Sequence, residues 1–310
     1  MQISILLAQQ IAQLFLILIM GYAVVKAGLL KASDSRVLSV VMVYLVTPCV
    51  IINAFQIDDT PEIRKGLLYS MAIAAAIHVV LLVLSALLSR PLKLDAVEQV
   101  NVIYSNAAAL VIPLVKALMG DAYVIYSCAF IIVQLVLLWT HASSLLQGSS
   151  ALDWKKVLTN INMIAIAAGA LLYWFRVVLP APLQNTMSTV GNMMGPMGML
   201  LAGMAIAEKP LREVFCTRRN YLPTVLRLVV CPLVVLVLLW VCHASRWVAD
   251  GKNILMTVYL AAITPACATV TSMAQLYDRD AAHSSALYVL TTLLSIVSMP
   301  IMIGLFDLLL

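Results

Sequence analysis

Long apolar segments constrain the fold of this chain more than any other feature of its sequence. A helix that crosses a bilayer needs about 20 mostly apolar residues, because it rises about 1.5 Å per residue through a core about 30 Å thick. Ten such segments can be read along the chain: 3–25, 37–55, 67–89, 100–119, 122–147, 160–179, 184–207, 223–244, 254–275 and 281–308. They lack the alternation typical of membrane barrel strands, so the sequence predicts an all-α membrane protein with ten transmembrane helices.

The composition agrees with this reading and excludes several classes of protein. Hydrophobic residues make up 63% of the 310 positions and charged residues only 11%, whereas soluble domains are about 45–50% apolar and about 25% charged. A soluble enzyme, a nucleic-acid-binding protein and a disordered chain are therefore excluded. The six cysteines show no CxxC spacing, so we expect neither a metal site nor a cofactor.

Four prolines inside the segments indicate an internal repeat. Pro48 and Pro196 are separated by about half of the chain, and so are Pro113 and Pro265. Five segments are an odd number, so the two halves enter the membrane from opposite sides and form an inverted 5+5 repeat. Pro-interrupted helices at matching positions of an inverted repeat are typical of secondary transporters. The alternative that these prolines only kink their helices stays open.

The same spacing divides the chain into three parts. A first five-helix repeat, a short cytoplasmic connector and a second five-helix repeat are predicted at 1–147, 148–159 and 160–310. No soluble domain fits between the segments.

The positive charges predict an orientation. The formal net charge is +5, from 19 Lys and Arg against 14 Asp and Glu. Twelve of these cations lie in the odd-numbered loops, six lie on the other side and Arg227 lies inside the eighth segment. Because Lys and Arg concentrate on the cytoplasmic side, we expect a multi-pass protein of the cell inner (plasma) membrane with both termini outside the cytoplasm.

The middle of every segment lacks Asp and Glu. Ion coupling through buried carboxylates is therefore disfavoured, since ionisable residues inside the membrane mark such pathways. The polar residues near the predicted midplane are uncharged: Asn53, Ser105, Asn106, Asn192, Thr264, Thr269, Thr271 and Ser272. A small organic anion can place its carboxylate at the N-terminal end of a broken half-helix.

We predict a substrate site from these polar residues and the adjacent prolines. The substrate-binding residues are predicted to be Asn53, Asn106, Pro113, Thr264, Pro265 and Thr269. Positions of helix breaking and close packing are predicted at Pro48, Pro196, Gly195 and Gly203. The alternative that Ser, Thr and Asn only bridge neighbouring helices stays open.

Arg227 and His78 are the ionisable side chains that fall inside segments and need an explanation. Arg227 follows Pro223 at the cytoplasmic start of its segment, so its stem is expected to snorkel to the lipid headgroups. Contact with an anionic substrate is the alternative. His78 is expected to be a neutral packing histidine rather than a protonatable one.

Several motifs together resemble the auxin efflux carrier family, specifically the bacterial relatives of the plant PIN auxin transporters. They are YLVTPCVIINAF at 44–55, GPMGMLLAGMAIA at 195–207, and the stretch from Ala261 to Pro300 that contains TPACATVTSMAQLYDRDAAHSS. Asn106 and Pro113 match the family's N-x-G-F-x-G-x-P-L motif, in which Ala108 and Val111 replace the two glycines.

The resemblance covers essentially the whole chain and implies an architecture. Segments 4 and 9 would cross near Pro113 and Pro265, with the substrate bound beside the crossing. Segments 1, 2, 6 and 7 would form a scaffold, and segments 3–5 and 8–10 a transport unit. A homodimer is also compatible with the resemblance.

The leading functional hypothesis is a secondary transporter of the efflux type for small organic anions such as mono- or dicarboxylates. It would work by alternating access in the lipid bilayer, without a buried-carboxylate ion site, a cofactor or a nucleic-acid partner. One alternative is a sodium-coupled bile-acid-type symporter, and another is a non-transporting receptor or scaffold on a carrier fold. An intramembrane enzyme is not expected, because HExxH and paired intramembrane Asp are absent from the sequence.

Overall fold

The computed structural model describes residues 2–56, 60–148, 159, 161–207 and 211–310. Helices account for nearly all regular structure in these ranges, and the described residues form no strand beyond one isolated bridge between Ser105 and Ala266. The prediction of an all-α protein is confirmed. Of the predicted connector, only residues 148 and 159 belong to the described part.

We label the helices in chain order. The first half contains α1 (Gln2–Lys26), α2 (35–54), α3 (Pro61–Ser89), α4a (Ala96–Ile103), α4b (Ala107–Met119) and α5 (121–147). The second half contains α6 (Ile161–Trp174), α7a (Ala181–Gly191), α7b (Met194–Ile206), α8 (218–241), α9a (Gly251–Ile263), α9b (Ala268–Leu276) and α10 (Ala281–Leu309). A short helix, Leu211–Cys216, precedes α8.

Six helical stretches among the described residues are long and apolar enough to cross a membrane. They are Ala32–Asn53, Pro61–Ser89, Val124–Gln147, Ala181–Ile206, Arg218–Val241 and Ala281–Leu309. Large apolar side chains on several of them point outward, and Leu87, Val237 and Val297 are 68%, 53% and 62% exposed. Such a surface suits contact with lipid, since helices satisfy their own backbone hydrogen bonds there. The protein is a multi-pass membrane protein.

Local capping signals determine where several helices begin. Thr60 accepts a hydrogen bond from the backbone N–H of Ile63, and Pro61 occupies the first turn of α3, where its missing N–H costs nothing. Asp95 and Glu98 form a reciprocal capping box at the start of α4a. These are properties of the sequence alone, so these helix starts require no tertiary contact.

Pro48 does not break α2. The helix widens into a π-turn at Met42–Val46 and continues through Pro48 to Ala54. A proline ring clashes with the carbonyl four residues earlier, and a wider turn relieves that clash. The Thr47 hydroxyl donates to the Met42 carbonyl of this turn at 2.8 Å. The prediction of a helix break at Pro48 is therefore wrong.

The prediction of a break at Pro113 is also wrong, because Pro113 lies within the continuous helix α4b. The interruption of this segment comes earlier, at Tyr104–Asn106, where the backbone is extended. Helix α7 is interrupted just before Pro196, at Asn192–Met193, and Pro196 lies in the first turn of α7b. Near Pro265 the chain does leave the helix, between α9a and α9b.

The helices pack as two groups that contact each other mainly through α10 and through α9b, which packs on α2 and α7b. In one group α1 packs on α7b, and α2 packs on α6 and α7a. In the other group α3 and α4b pack on α5, and α9a packs on α3, α4b and α5. Helix α10 contacts α1 and α7b as well as α4a, α8 and α9b. The first group corresponds to the scaffold that the family resemblance implied.

Polar contacts between loops define the two ends of the bundle. At one end, Arg36 pairs with Asp278 at 2.8 Å. The other end holds the Tyr69 hydroxyl, which donates to the Ala244 carbonyl at 2.6 Å, and the Tyr123 hydroxyl, which donates to Asp250 at 2.6 Å. These contacts connect the start of α2 with the turn before α10, and connect α3 and the start of α5 with the segment between α8 and α9a.

The close packing of α1 on α7b can be tested by a substitution at Gly203. A Cβ atom added at Gly203 would collide with the backbone carbonyl of Leu18, whereas one added at Gly304 on α10 would meet nothing within 4 Å. We expect Gly203→Ala to lower stability by about 1–3 kcal/mol, since the colliding atom belongs to the backbone. Thermal unfolding of purified protein measures the effect, with Gly304→Ala as the matched control. Equal melting temperatures for the two variants would contradict this packing.

Candidate functional site

Two of the interrupted helices, α4 and α9, meet at their interruptions. The backbone N–H of Asn106 donates to the Pro265 carbonyl at 2.8 Å, and the N–H of Cys267 donates to the Tyr104 carbonyl at 3.1 Å. Ser105 and Ala266 form the antiparallel bridge between these bonds. We call residues 104–106 and 264–267 the crossover. Four half-helix ends therefore converge on one small region of the protein interior.

Gln134 of α5 holds the first strand-like segment of the crossover in place. Its Oε1 accepts from the backbone N–H and the hydroxyl of Ser105 at 3.0 and 2.7 Å, and its Nε2 donates to the Ser105 carbonyl at 2.8 Å. Both residues are buried. A single amide side chain thus forms hydrogen bonds with both the backbone N–H and the carbonyl of Ser105. In a continuous helix these two groups would bond to the backbone of neighbouring turns. Helix α10 contributes similarly, since the Thr291 hydroxyl accepts from the N–H of Ala266 at 3.1 Å.

Arg227 occupies the side of the crossover at which α4a and α9a end. Its Nε and Nη2 donate to the Thr264 carbonyl at 3.0 and 2.8 Å, and Nη2 also reaches the Ala262 carbonyl at 2.5 Å. Its Nη1 donates to the carbonyls of Val102 and Ile103 at 3.1 and 3.2 Å. All five guanidinium N–H donors are used in this way.

This placement corrects the expectation that Arg227 snorkels to the membrane surface. The side chain is only 1% exposed and starts from the π-turn of α8 at Leu226–Val230. Its stem turns inward because the unpaired carbonyls at two helix C-termini attract a cation. A sequence signal was present, since Arg227 is an arginine inside an apolar segment.

The opposite side of the crossover carries the N-terminal ends of α4b and α9b. Asn106 precedes α4b and is 4% exposed, and its side-chain Nδ2 has no hydrogen-bond partner among the described residues. Thr269 lies in the first turn of α9b and is buried. Thr292 of α10 is also buried, and its hydroxyl has no partner within the described part of the chain. Buried polar atoms without partners are unusual and suggest a place for a ligand or water.

Helix α10 brings further hydroxyl groups to this side. The buried Tyr288 hydroxyl donates to Met199 Sδ of α7b at 2.7 Å. The Ser285 hydroxyl donates to the Ala202 carbonyl of the same helix. These two bonds connect α10 to the first helix group beside the crossover, so the candidate site lies where the two groups meet.

The predicted site residues do not all come together. Asn106, Thr264, Pro265 and Thr269 lie at the crossover or in the turn that follows it. Asn53 lies in the last turn of α2, whose main neighbours are α6 and α7a. Pro113 is the seventh residue of α4b. Sequence reasoning left Gln134 without a role and missed the contribution of Arg227 to this site.

Gly195 and Gly203 lie near opposite ends of α7b. Gly195 is half-buried in the first turn beside Pro196. Gly203 contacts the backbone of α1 closely, at Leu18 and Tyr22. Both positions belong to the first helix group.

A second polar cluster lies at the start of α4a. The buried Glu98 pairs with Arg219 at 2.6 Å and lies 3.7 Å from His283. Ligand atoms of Asp95, Glu98 and His283 lie within 4.8 Å of one another. Arg219 already donates to both Glu98 oxygens, and Asp95 and Glu98 cap the helix start. The arrangement therefore has a structural explanation as an ion pair that connects α4a, α8 and α10.

Comparison with known proteins identifies the family. A family model described as membrane transport protein matches residues 6–152 and 149–303. These ranges cover nearly the whole chain, so the chain belongs to this family, the auxin efflux carrier and membrane transport family. The resemblance noted in the motifs is confirmed. A search of curated proteins gave no match. The protein is accordingly a membrane transporter by family.

Gln134 provides a test of the crossover geometry. Gln134→Leu removes three hydrogen bonds and leaves both backbone groups of Ser105 without partners in the interior, at a cost of about 1–3 kcal/mol for each such group. We expect a clear fall in the melting temperature of the purified protein. Gln99→Leu is the matched control, because Gln99 is partly buried and donates only to the Leu94 carbonyl. If Gln134→Leu were as stable as this control, the described bonds would not hold the crossover together.

Proposed function

We propose that this protein is a secondary carrier that exports small organic anions, such as mono- or dicarboxylates, by alternating access. The observation that carries the proposal is the crossover, where the N-terminal ends of α4b and α9b converge beside the buried Asn106, whose Nδ2 has no hydrogen-bond partner among the described residues. A helix N-terminus carries about half a positive charge and free N–H groups, so two of them favour an anion.

The proposed membrane topology is ten spans in an inverted 5+5 repeat. Support comes from the order of α1 to α10 and from the interruptions of α4 and α9, which occur at matching places in the two halves. Of the remaining elements, α1 is a continuous apolar helix of 25 residues, α6 is shorter, and α4 and α9 are each divided into two half-helices. Transporters place such broken helices at the substrate site near the bilayer midplane.

The proposed location is the cell inner membrane, with both termini outside the cytoplasm. The bundle end that contains the Arg36–Asp278 pair also carries the loops richer in Lys and Arg. Those loops would face the cytoplasm according to the positive-inside tendency.

The proposed carrier does not couple to sodium. Sodium sites in transporters of this kind need ligands with negative charge or free carbonyls. None of the described crossover residues is Asp or Glu, and no salt bridge to Arg227 is found in the described part of the chain. Facilitated diffusion or anion exchange fits this electrostatic arrangement better than symport.

Alternating access would occur between the two helix groups. The first group, α1, α2, α6 and α7, would serve as the scaffold, and the second would carry the substrate. The polar bonds from Ser285 and Tyr288 to α7b are few and lie next to the proposed site. Sliding of α10 along α7b requires these bonds to exchange, which costs little when a polar substrate replaces one partner.

Uptake into proteoliposomes tests the proposal. Purified protein is reconstituted and supplied with radiolabelled carboxylates, including malonate, malate and an indole acid. We expect saturable uptake that is unchanged when choline replaces sodium. Asn106→Ala should reduce it about 10- to 100-fold, because a hydrogen bond to a charged group contributes about 1.5–3 kcal/mol. Asn185→Ala on the exposed face of α7a is the matched control.

Three outcomes would count against parts of this proposal. A strict sodium requirement would favour the symporter alternative. Ligand-dependent thermal stabilisation without flux would favour a receptor. Full activity of Asn106→Ala would place the substrate elsewhere.

A further inference from the structure

The environment of Arg227 consists of backbone carbonyl groups. The four carbonyls that accept from its guanidinium belong to Val102, Ile103, Ala262 and Thr264. Two lie in the last turn of α4a, and the other two lie at the end of α9a and in its C-cap. No carboxylate among the described residues pairs with Arg227.

The charges of this arrangement balance without a counter-ion. Each helix C-terminus carries about half a negative charge, so two converging C-termini carry about one. A single guanidinium supplies the opposite charge. The same arithmetic explains why a fully buried arginine is tolerated here, since an unpaired charge in a protein interior is otherwise very costly.

Converging half-helix C-termini with unwound carbonyls are the kind of site that binds a coupling cation in transporters with broken helices. We propose that the Arg227 guanidinium is a built-in cation that permanently fills such a site. In its absence, the four carbonyls would form a site for a monovalent cation. The inference extends the proposed function, because it gives a structural reason for sodium-independent transport.

Arg227 is a positioning residue in this scheme and does not contact the substrate. By neutralising the C-terminal ends, it leaves the N-terminal ends of α4b and α9b as the unbalanced charge at the crossover. Its removal should therefore make both the stability of the crossover and the transport step depend on an added cation.

The first experiment measures cation binding and needs no substrate. Thermal unfolding of detergent-purified Arg227→Ala is followed in choline chloride, NaCl, LiCl and guanidinium chloride at equal ionic strength, so that screening is constant. We expect its melting temperature in choline to be about 5–10 °C below that of the wild type. Low millimolar guanidinium should restore at least half of this loss, and sodium should restore part of it, both saturably.

The controls separate a cation site from a general salt effect. Wild type and Arg218→Ala, in which an exposed arginine near the start of α8 is removed, should show no saturable response to sodium. A saturable, sodium-specific stabilisation of the wild type would overturn the proposal. So would a folded Arg227→Ala whose melting temperature is the same in sodium, guanidinium and choline.

Arg227→Lys covers the case in which Arg227→Ala does not fold. The ammonium keeps the charge but has three donors instead of five, so we expect a folded protein with an intermediate melting temperature and no response to sodium. Saturable sodium stabilisation of Arg227→Lys would overturn the proposal, since it would mean that the charge does not fill the site.

The second experiment measures transport. In proteoliposomes, uptake by Arg227→Ala should rise at least about fivefold when sodium or guanidinium replaces choline, whereas wild-type uptake should not change. If no protein transports any carboxylate while the cation responses hold, the proposed carrier function fails and the assignment of Arg227 stands. If the wild type transports and Arg227→Ala responds to no cation, the assignment of Arg227 fails alone.

Discussion

The structure depends on satisfying the backbone groups that are released where α4 and α9 leave the helical conformation. In a low-dielectric interior each unpaired N–H or carbonyl costs several kcal/mol, so a break is stable only where partners are supplied. The two crossover segments supply part of these partners to each other, through Asn106 with Pro265 and Cys267 with Tyr104. Gln134, Arg227 and Thr291 supply others from α5, α8 and α10.

The crossover has two sides that differ in how completely their polar groups are hydrogen-bonded. The helix C-termini are bound by the five donors of Arg227, so that side is complete within the protein. On the N-terminal side, the Asn106 Nδ2 and the Thr292 hydroxyl have no hydrogen-bond partner in the part of the chain that the structure describes. The carrier proposed above would bind its anion on the incomplete side, and membership of a membrane transport family agrees with a role in transport.

The contacts within each helix group can be compared with the contacts between the two groups. Close backbone approach at Gly203 joins α1 to α7b within the first group, and hydrogen bonds to the crossover join α4, α5, α8 and α9 within the second. Between the groups, the contacts beside the crossover include side-chain bonds from α10, such as those of Ser285 and Tyr288. A close contact of Gly198 in α7b with Ala268 in α9b also lies between the groups, so the relative motion proposed above would have to change the packing of both α10 and α9b.

The length and apolarity of the segments determined the helical membrane fold, because no soluble packing can bury so many apolar side chains. Family membership also followed from the order of short motifs. The location of the helix breaks was decided only by the tertiary structure. Pro113 lies inside the continuous helix α4b. The break lies at Tyr104–Asn106 because Pro265 and Cys267 provide hydrogen-bond partners for the backbone there. The role of Arg227 was likewise hidden from the sequence, since its four carbonyl partners come from two helices far apart in the chain.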